Sequence, residues 1–307
     1  MRAVVIEQFG PPDVLQARDL PVPSPGDGEV LVRVHAAGIN AIDWFTRAGT
    51  GVAVTAFPAV LGWDIAGTVA DSAPGLPAGT GVFGLARFPE LAGGYAEYAA
   101  VPATALTIKP DNVDYATAAG APMVALTAWQ TVFQHGQVAA GQRVLVHGAA
   151  GGVGHIAVQL AASAGAHVIA TASTRNHDFV TGLGAREVID YTTEPVEAVV
   201  RNADVAVDPI GGETAVRLLD TLRPGGILVT LKGKDPGLEG AATARGLRLG
   251  YTYVAPDGET LAKVAELLGD GRLRIGIERV LPLDRAAEAH AIGERGHVRG
   301  RLVLDTS

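Results

Sequence analysis

Residues 146–155 read VHGAAGGVGH. Small residues at this density let a backbone turn sharply and let another group approach it closely. Within the stretch, Ala149-x-Gly151-x-x-Gly154 has the spacing of a dinucleotide fingerprint, with alanine in the first glycine position. Gly151 would let the backbone approach a pyrophosphate. Gly154 would let the following helix pack closely on the preceding strand. Ala150, Gly152 and Val153 complete the turn, where a helix N-terminus offers N–H donors and a positive dipole end to phosphates. A compact turn between strand and helix, holding no ligand, would show the same glycines.

An NAD site places Asp or Glu about 20 residues further on, at the end of the second strand, to hold the ribose 2′-OH. Here that strand end reads Ala170-Thr171-Ala172-Ser173-Thr174-Arg175-Asn176. It has no acid and one guanidinium. Ser173, Arg175 and Asn176 suit a 2′-phosphate, which a carboxylate would repel. Charge-assisted hydrogen bonds of ~1.5–3 kcal/mol then predict roughly 10- to 100-fold preference for NADPH over NADH. The competing reading is a solvated Arg175 beside an N-capping serine.

These groups need a sheet to position them. QRVLVHG reads as a strand, VGHIAVQLAASAG as a helix and HVIATAS as the next strand. RNHDFVTGLGA and ETAVRLLDTLRP read as helices, and REVIDY, DVAVDPI and GGILVTL as strands. Such alternation implies right-handed crossovers and a parallel sheet. Ligands then sit at the carboxyl ends of the strands, which adds Ile210, Gly211, Leu231 and Gly233 to the candidate cofactor contacts. Lys232, between the last two, would be simply solvated. Before residue 120 the chain reads as short strands between Gly/Pro clusters, a β-barrel-like pattern. DYATAAGAPMVALTAWQTVFQ and GETLAKVAELLGDG have helical spacing.

Composition narrows the class. The 307 residues carry a formal net charge of -8, which argues against a nucleic-acid or anionic-membrane surface. The absence of cysteine removes disulfides and thiolate zinc sites. The start MRAVVIEQFG has no apolar signal core, and no run reaches the ~18 apolar residues of a membrane span. A cytoplasmic protein is expected.

In chain order, MRAVVIEQFG, VLVRVHAAGINAIDWFTRAG, FPAVLGWDIAGTV, GGYAEYAAVP, LTAWQTVF, VLVHGAAGGVGHIAVQLA, LGAREVIDY, LRPGGILVTL and HVRGRLVL resemble the medium-chain dehydrogenase/reductase superfamily. The nearest likeness is to its zinc-free quinone oxidoreductase (zeta-crystallin-like) branch. The resemblance implies an α/β fold: a GroES-like β-rich catalytic domain from residues 1–118 and 270–307, and a doubly wound Rossmann domain from 119–269. The zinc-dependent relatives' ligand positions fall on Ala37–Asp43 and Gly62–Asp64, which hold no cysteine and no His-Glu pair; no metal is expected. By resemblance, Asn40 and Thr127 lie near the nicotinamide, with Asp43 in the turn after Asn40. Tyr191 would lie near the adenosine phosphate, and Arg299 and Arg301 in a basic tail close to the cofactor. The plainer readings are a turn asparagine, a structural aspartate, a threonine bonded to its own helix, a strand-end tyrosine and surface arginines. Some quinone oxidoreductases carry a tyrosine where this chain has Phe45, which cannot donate a proton; Tyr95 and Tyr98 are the alternative donors.

Without zinc, charge developing on an acceptor oxygen must be met by hydrogen bonds or water. A quinone or α,β-unsaturated carbonyl spreads that charge by conjugation. The expected activity is therefore NADPH-dependent reduction of a small quinone or enone. An enoyl-type reductase of a biosynthetic pathway, or a low-turnover NADPH-binding sensor or crystallin-like protein, are the alternatives. The resemblance is compatible with a homodimer, which no sequence feature establishes.

Overall fold

The computed structural model describes residues 1–307. The chain forms two compact units, Met1–Met123 with Ala255–Ser307, and Val124–Val254. The expected junctions at 118/119 and 269/270 thus move to 123/124 and 254/255. The second shift has a clear cause. Helix Gly258–Gly269 buries Leu261, Val264 and Leu268 and packs against strand Leu106–Ile108 of the first unit. Periodicity alone does not say which sheet a helix covers.

The main sheet of the first unit has seven strands. Ile277–Pro282, Arg301–Asp305, Glu29–Gly38, Asp64–Val69, Gly81–Leu85 and Leu106–Ile108 follow in hydrogen-bonded order, and Tyr98–Pro102 pairs with Glu29–Gly38 off that path. A smaller sheet joins Gln16–Asp19, Arg2–Ile6 and Ala59–Val60. The last strand lies antiparallel to Glu29–Gly38, with Val303 opposite Gly38. A Cβ on Gly38 would lie 2.3 Å from the Ala119 carbonyl oxygen, so glycine is required there. Val4, Ile6, Leu61, Leu281, Leu302 and Leu304 share one core, drawing both ends of the chain into it.

The second unit is a parallel sheet ordered Glu187–Ile189, His167–Thr171, Arg143–Val146, Ala203–Asp208, Leu222–Thr230 and Arg248–Tyr251. Val144, Leu145 and Val146 are fully buried, as a strand covered on both faces requires. From Arg143–Val146 the chain first builds toward one edge and then returns to build toward the other. The switch point falls between Arg143–Val146 and Ala203–Asp208, where open α/β sheets bind ligands.

The expected long helix around residues 114–134 is three pieces: Tyr115–Ala119, Pro122–Trp129 and a π-helical turn over Gln130–His135. Gly120 ends the first, and a Cβ there would lie 2.9 Å from Ile277 Cδ1. In the π turn the Thr131 hydroxyl donates to the Thr127 carbonyl at 2.7 Å, a local bond that competes with the helical ladder. Helix Pro236–Ala244 was not anticipated, although Asp235-Pro236 is a start signal; the Asp235 side chain accepts from Gly237 and Leu238 N–H.

Candidate cofactor edge and buried polar cluster

At the switch point the chain turns through Gly148 at φ 59°. The left-handed residue is thus the one before the fingerprint's first position. Ala149 is fully buried and donates its N–H to the Thr171 carbonyl at 2.9 Å, a geometry alanine tolerates. Gly151 N–H closes the turn on Gly148 O at 3.0 Å. A Cβ on Gly154 would lie 2.4 Å from that same oxygen and 2.8 Å from Ala149 Cα. A Cβ on Gly151 would meet only Gly148 O, at 3.3 Å, so the turn is open above it. No side chain caps helix Gly154–Ser163, and the bonds that build the turn do not engage the N–H groups of Ala150, Gly152 and Val153. An uncapped helix start with open glycine backbone fits the phosphates of a dinucleotide.

Two buried aspartates arrange the loops on either side. Asp208, fully buried, accepts from Ile210 and Gly211 N–H at 3.0 Å and from the Thr230 hydroxyl at 3.0 Å. It thereby sets Ile210 and Gly211, while Lys232 N–H bonds the Thr230 hydroxyl at 3.2 Å and places the Leu231–Gly233 loop. On the other side, Asp190 accepts from Thr174 and Thr192. These hydroxyl and N–H donors, the Thr174 hydroxyl first, hold its carboxyl well below the usual carboxylate range. Arg175 is exposed. Asn176 differs from the expectation: it is buried, and its amide donates to Ser173 Oγ at 3.3 Å. It supports Ser173 and does not present itself beside Arg175. Tyr191 is 41% exposed and meets His147 edge-on at 6.3 Å. Burial lowers the His147 pKa; the neutral ring shares the Thr171 hydroxyl at 2.8 Å, and that hydroxyl also accepts from Gly148 N–H at 3.0 Å.

The first unit holds a buried polar cluster. Asn40 precedes helix Ala41–Arg47. Its N–H donates to Asp43 Oδ2 at 2.6 Å and its amide to Asp64 Oδ2 at 2.9 Å. Asp64 also accepts from Met123 N–H at 2.8 Å and from the Arg301 guanidinium at 2.9 Å, and Arg301 Nε donates to Gly120 O at 2.9 Å. Arg301 is 5% exposed. It is an internal ion-pair partner, which corrects its assignment to a basic tail at the cofactor; a guanidinium between a carboxylate and a carbonyl has no face for phosphate. Arg299 is exposed, with its backbone N–H on Glu278. Asp43 is corrected too. Its oxygens accept from Asn40 N–H, from Gly62 N–H at 3.1 Å and from the Tyr95 hydroxyl, so it braces the turn that carries Asn40. Tyr95 is fully buried against Asp43 and His290, the latter 3.1 Å away, so its hydroxyl is engaged inside the fold and not presented as a proton donor. Thr127 is 7% exposed.

Burial is the leading cause of the shifts in this cluster. It pushes Asp43 up to about 8 and Asp64 to about 6, the latter against the pull of Arg301, and lowers His290 to about 3. A carboxyl raised in the folded state contributes stability that is full below its unfolded pKa and is lost as pH rises through its folded one. Asp43 therefore costs stability between about pH 4 and 8. A lowered histidine acts oppositely, losing stability as pH falls from about 6.5 toward 3. Chemical denaturation at about pH 6 and about pH 9 is expected to show the protein weaker at the higher pH, and Asp43→Asn to flatten that difference. An equal drop in both proteins would refute the assignment.

Asp64, Asp190 and Asp208 hold the Asn40 amide and the two loops, and sequence reasoning missed them. Asp190 and Asp208 each carried a signal: an acid closing an apolar strand just before turn residues, in VIDYTT and VAVDPIGG.

Residues 26–111 match the alcohol dehydrogenase GroES-like domain family, and residues 183–304 match the zinc-binding dehydrogenase family. A mitochondrial NAD(P)H oxidoreductase RTN4IP1 of Danio rerio is 34% identical, over 99% of this chain and 91% of its own. A chloroplastic NADPH-dependent alkenal/one oxidoreductase of Arabidopsis thaliana is 32% identical, over 99% and 79%. The solved quinone oxidoreductase of Coxiella burnetii superposes with a TM-score of 0.94 at 35% identity, covering 100% of this chain and 99% of that one. A GroES-like unit combined with a parallel sheet carrying a glycine turn at its switch point defines a medium-chain dehydrogenase/reductase. Within that superfamily, the chain belongs to the quinone oxidoreductase-like branch.

One matched family is described as zinc-binding, and the residues here do not fit that ion. There is no cysteine, and no group of three or more His, Cys, Asp or Glu side chains is placed to hold a metal. Asp43 and Asp64 already accept from backbone N–H groups, the Asn40 amide and Arg301. No helix is long and apolar enough to cross a membrane.

Proposed function

We propose that this oxidoreductase uses NADPH to reduce a quinone or an α,β-unsaturated carbonyl, without zinc. The observation that carries the reading is the strand end at 173–176, where an exposed Arg175 follows Ser173 and the four residues include no acid. Of the acids nearby, Asp190 is turned into threonine donors, and Asp178 lies beyond the strand end, in the first turn of the following helix. The Coxiella and Arabidopsis relatives, by their names, act on quinones and on alkenals or enones, which supports the same acceptor class.

NADPH, when bound, supplies the hydride. The open N–H groups of Ala150, Gly152 and Val153 bind its pyrophosphate. Ser173 and Arg175 bind the 2′-phosphate, and Tyr191 offers its exposed face to the adenosine. Ile210, Gly211, Leu231 and Gly233 border the strand ends and exclude water along the cofactor. Asn40, its amide direction fixed by Asp64, and Thr127 are the candidates at the nicotinamide end. The cytoplasmic location remains an expectation, since the Danio relative is named as mitochondrial.

The test is oxidation of NADPH and NADH with 1,4-benzoquinone, 9,10-phenanthrenequinone, an alkenal and a cyclic enone. NADPH-dependent turnover is expected. Hydroquinone products would identify quinone reduction, and saturated carbonyls alkene reduction. Cofactor binding with no turnover of any acceptor would overturn the enzyme reading in favour of a sensor. Separately, Arg175→Ala is expected to shrink the NADPH-over-NADH preference by roughly 10- to 100-fold, measured as the ratio of the two kcat/KM values; an unchanged ratio would remove Arg175 from the phosphate site.

A further inference from the structure

Arg175 is an exposed residue between two whose side chains are tied to neighbouring groups, Asn176 buried and Thr174 at the surface. On one side Asn176 is buried and bonded to Ser173. On the other, Thr174 donates its N–H to Asp190 Oδ2 at 2.8 Å, and its hydroxyl donates to the same oxygen. The second oxygen of Asp190 accepts from Thr192 N–H at 2.8 Å and the Thr192 hydroxyl at 2.6 Å. Asp190 follows strand Glu187–Ile189, whose Ile189 lies opposite Thr171 of the strand that ends in this loop. Ala172 N–H adds a bond to Ile189 O at 3.0 Å. The loop is therefore fastened to the neighbouring strand end at Ala172 and Thr174.

We propose that Asp190 is a positioning residue for cofactor choice: by clamping Thr174 it holds Arg175 at the strand end where the adenosine 2′-phosphate binds. The proposal rests on the reading of Arg175 given above. Two physical effects combine. A loop ordered in advance loses less freedom when the phosphate arrives. A carboxylate next to an anion site would ordinarily repel it, and here four hydrogen bonds stabilise that charge inside the loop. The acid thus sits close to where an NAD site keeps one, but on the adjacent strand and facing its own threonines.

The experiment is equilibrium titration of the full chain with NADPH and with NADH. The variants are Asp190→Ala, Arg175→Ala, their double variant and Thr174→Val. Asp190→Ala is expected to weaken NADPH about 10-fold and NADH by less than about 3-fold. The double variant is expected to match Arg175→Ala alone, because Asp190 acts through Arg175. A general structural role would weaken both cofactors alike and would overturn the proposal. If Arg175→Ala alters the preference and Asp190→Ala does not, the clamp is refuted while the phosphate site stands. If Arg175→Ala leaves the preference unchanged, the phosphate site fails and the clamp falls with it. Thr174→Val, which removes one hydroxyl and keeps the N–H bond, covers the case in which Asp190→Ala does not fold. It is expected to show the same NADPH-selective loss at about 3-fold, and equal affinities to the parent protein would count against the clamp.

Discussion

Arg301→Ala is expected to destabilise the first unit by about 3–5 kcal/mol. The guanidinium and the Asp64 carboxylate are 5% and 0% exposed. Removing the arginine leaves a buried anion with two neutral donors, the Asn40 amide and Met123 N–H, and orphans the Gly120 carbonyl. At ~2–4 °C per kcal/mol the midpoint should fall by roughly 6–20 °C. The compensating variant is informative. Adding Asp64→Asn to Arg301→Met removes the uncompensated charge and should recover more than half of the loss, read by urea denaturation. A single variant within about 1 kcal/mol of the parent would mean that the pair is solvated and the cluster is wrongly described. On the proposed role of Asn40 the loss should also reach turnover, because Asp64 fixes its amide.

Gly154→Ala is expected to be the most damaging single methyl in the second unit. The added carbon would meet the backbone of Gly148 and Ala149, and backbone cannot swing aside as a side chain can. Either helix Gly154–Ser163 lifts or the turn opens. Overpacking of this kind costs about 1–3 kcal/mol. Misaligned N–H donors should then weaken NADPH roughly 10- to 100-fold, on the order of two lost hydrogen bonds. Gly151→Ala provides the contrast. Its methyl meets one atom at 3.3 Å, so stability should change little, and any lost affinity would come from the methyl standing where the proposed function puts a phosphate. Thermal melts with and without NADPH separate the two. Equal melting losses for both variants would contradict the packing argument.

The parallel sheet and its glycine turn were legible because both are local. A strand, a turn and a helix within some twenty residues carry their own periodicity. The glycine at 154 allows the close helix-to-strand packing that its place in the spacing predicts. Arg301 was misread because its role depends on a partner 237 residues away; sheet register, not spacing in the chain, brings them together. Asp43 and Asp64 look alike in sequence, yet one meets N–H groups and a phenol and the other a guanidinium. Asn176 was placed beside Arg175 by adjacency. Thr174–Asn176 is a 3-10 turn, in which successive side chains splay about 120° apart, so Asn176 is buried while Arg175 is exposed.

The pairing of Arg301–Asp305 with Glu29–Gly38 also sets an order of assembly. During synthesis the central strand of the first unit emerges early and lacks one neighbour until the end of the sequence follows. The whole of Val124–Val254 is made in that interval. It carries a core of its own, built from Leu145, Ile169, Ala206, Leu218 and Leu228, and domains fold as units as they emerge. The parallel sheet is therefore expected to be protected from proteolysis while the sheet around Glu29–Gly38 is still open along one strand edge.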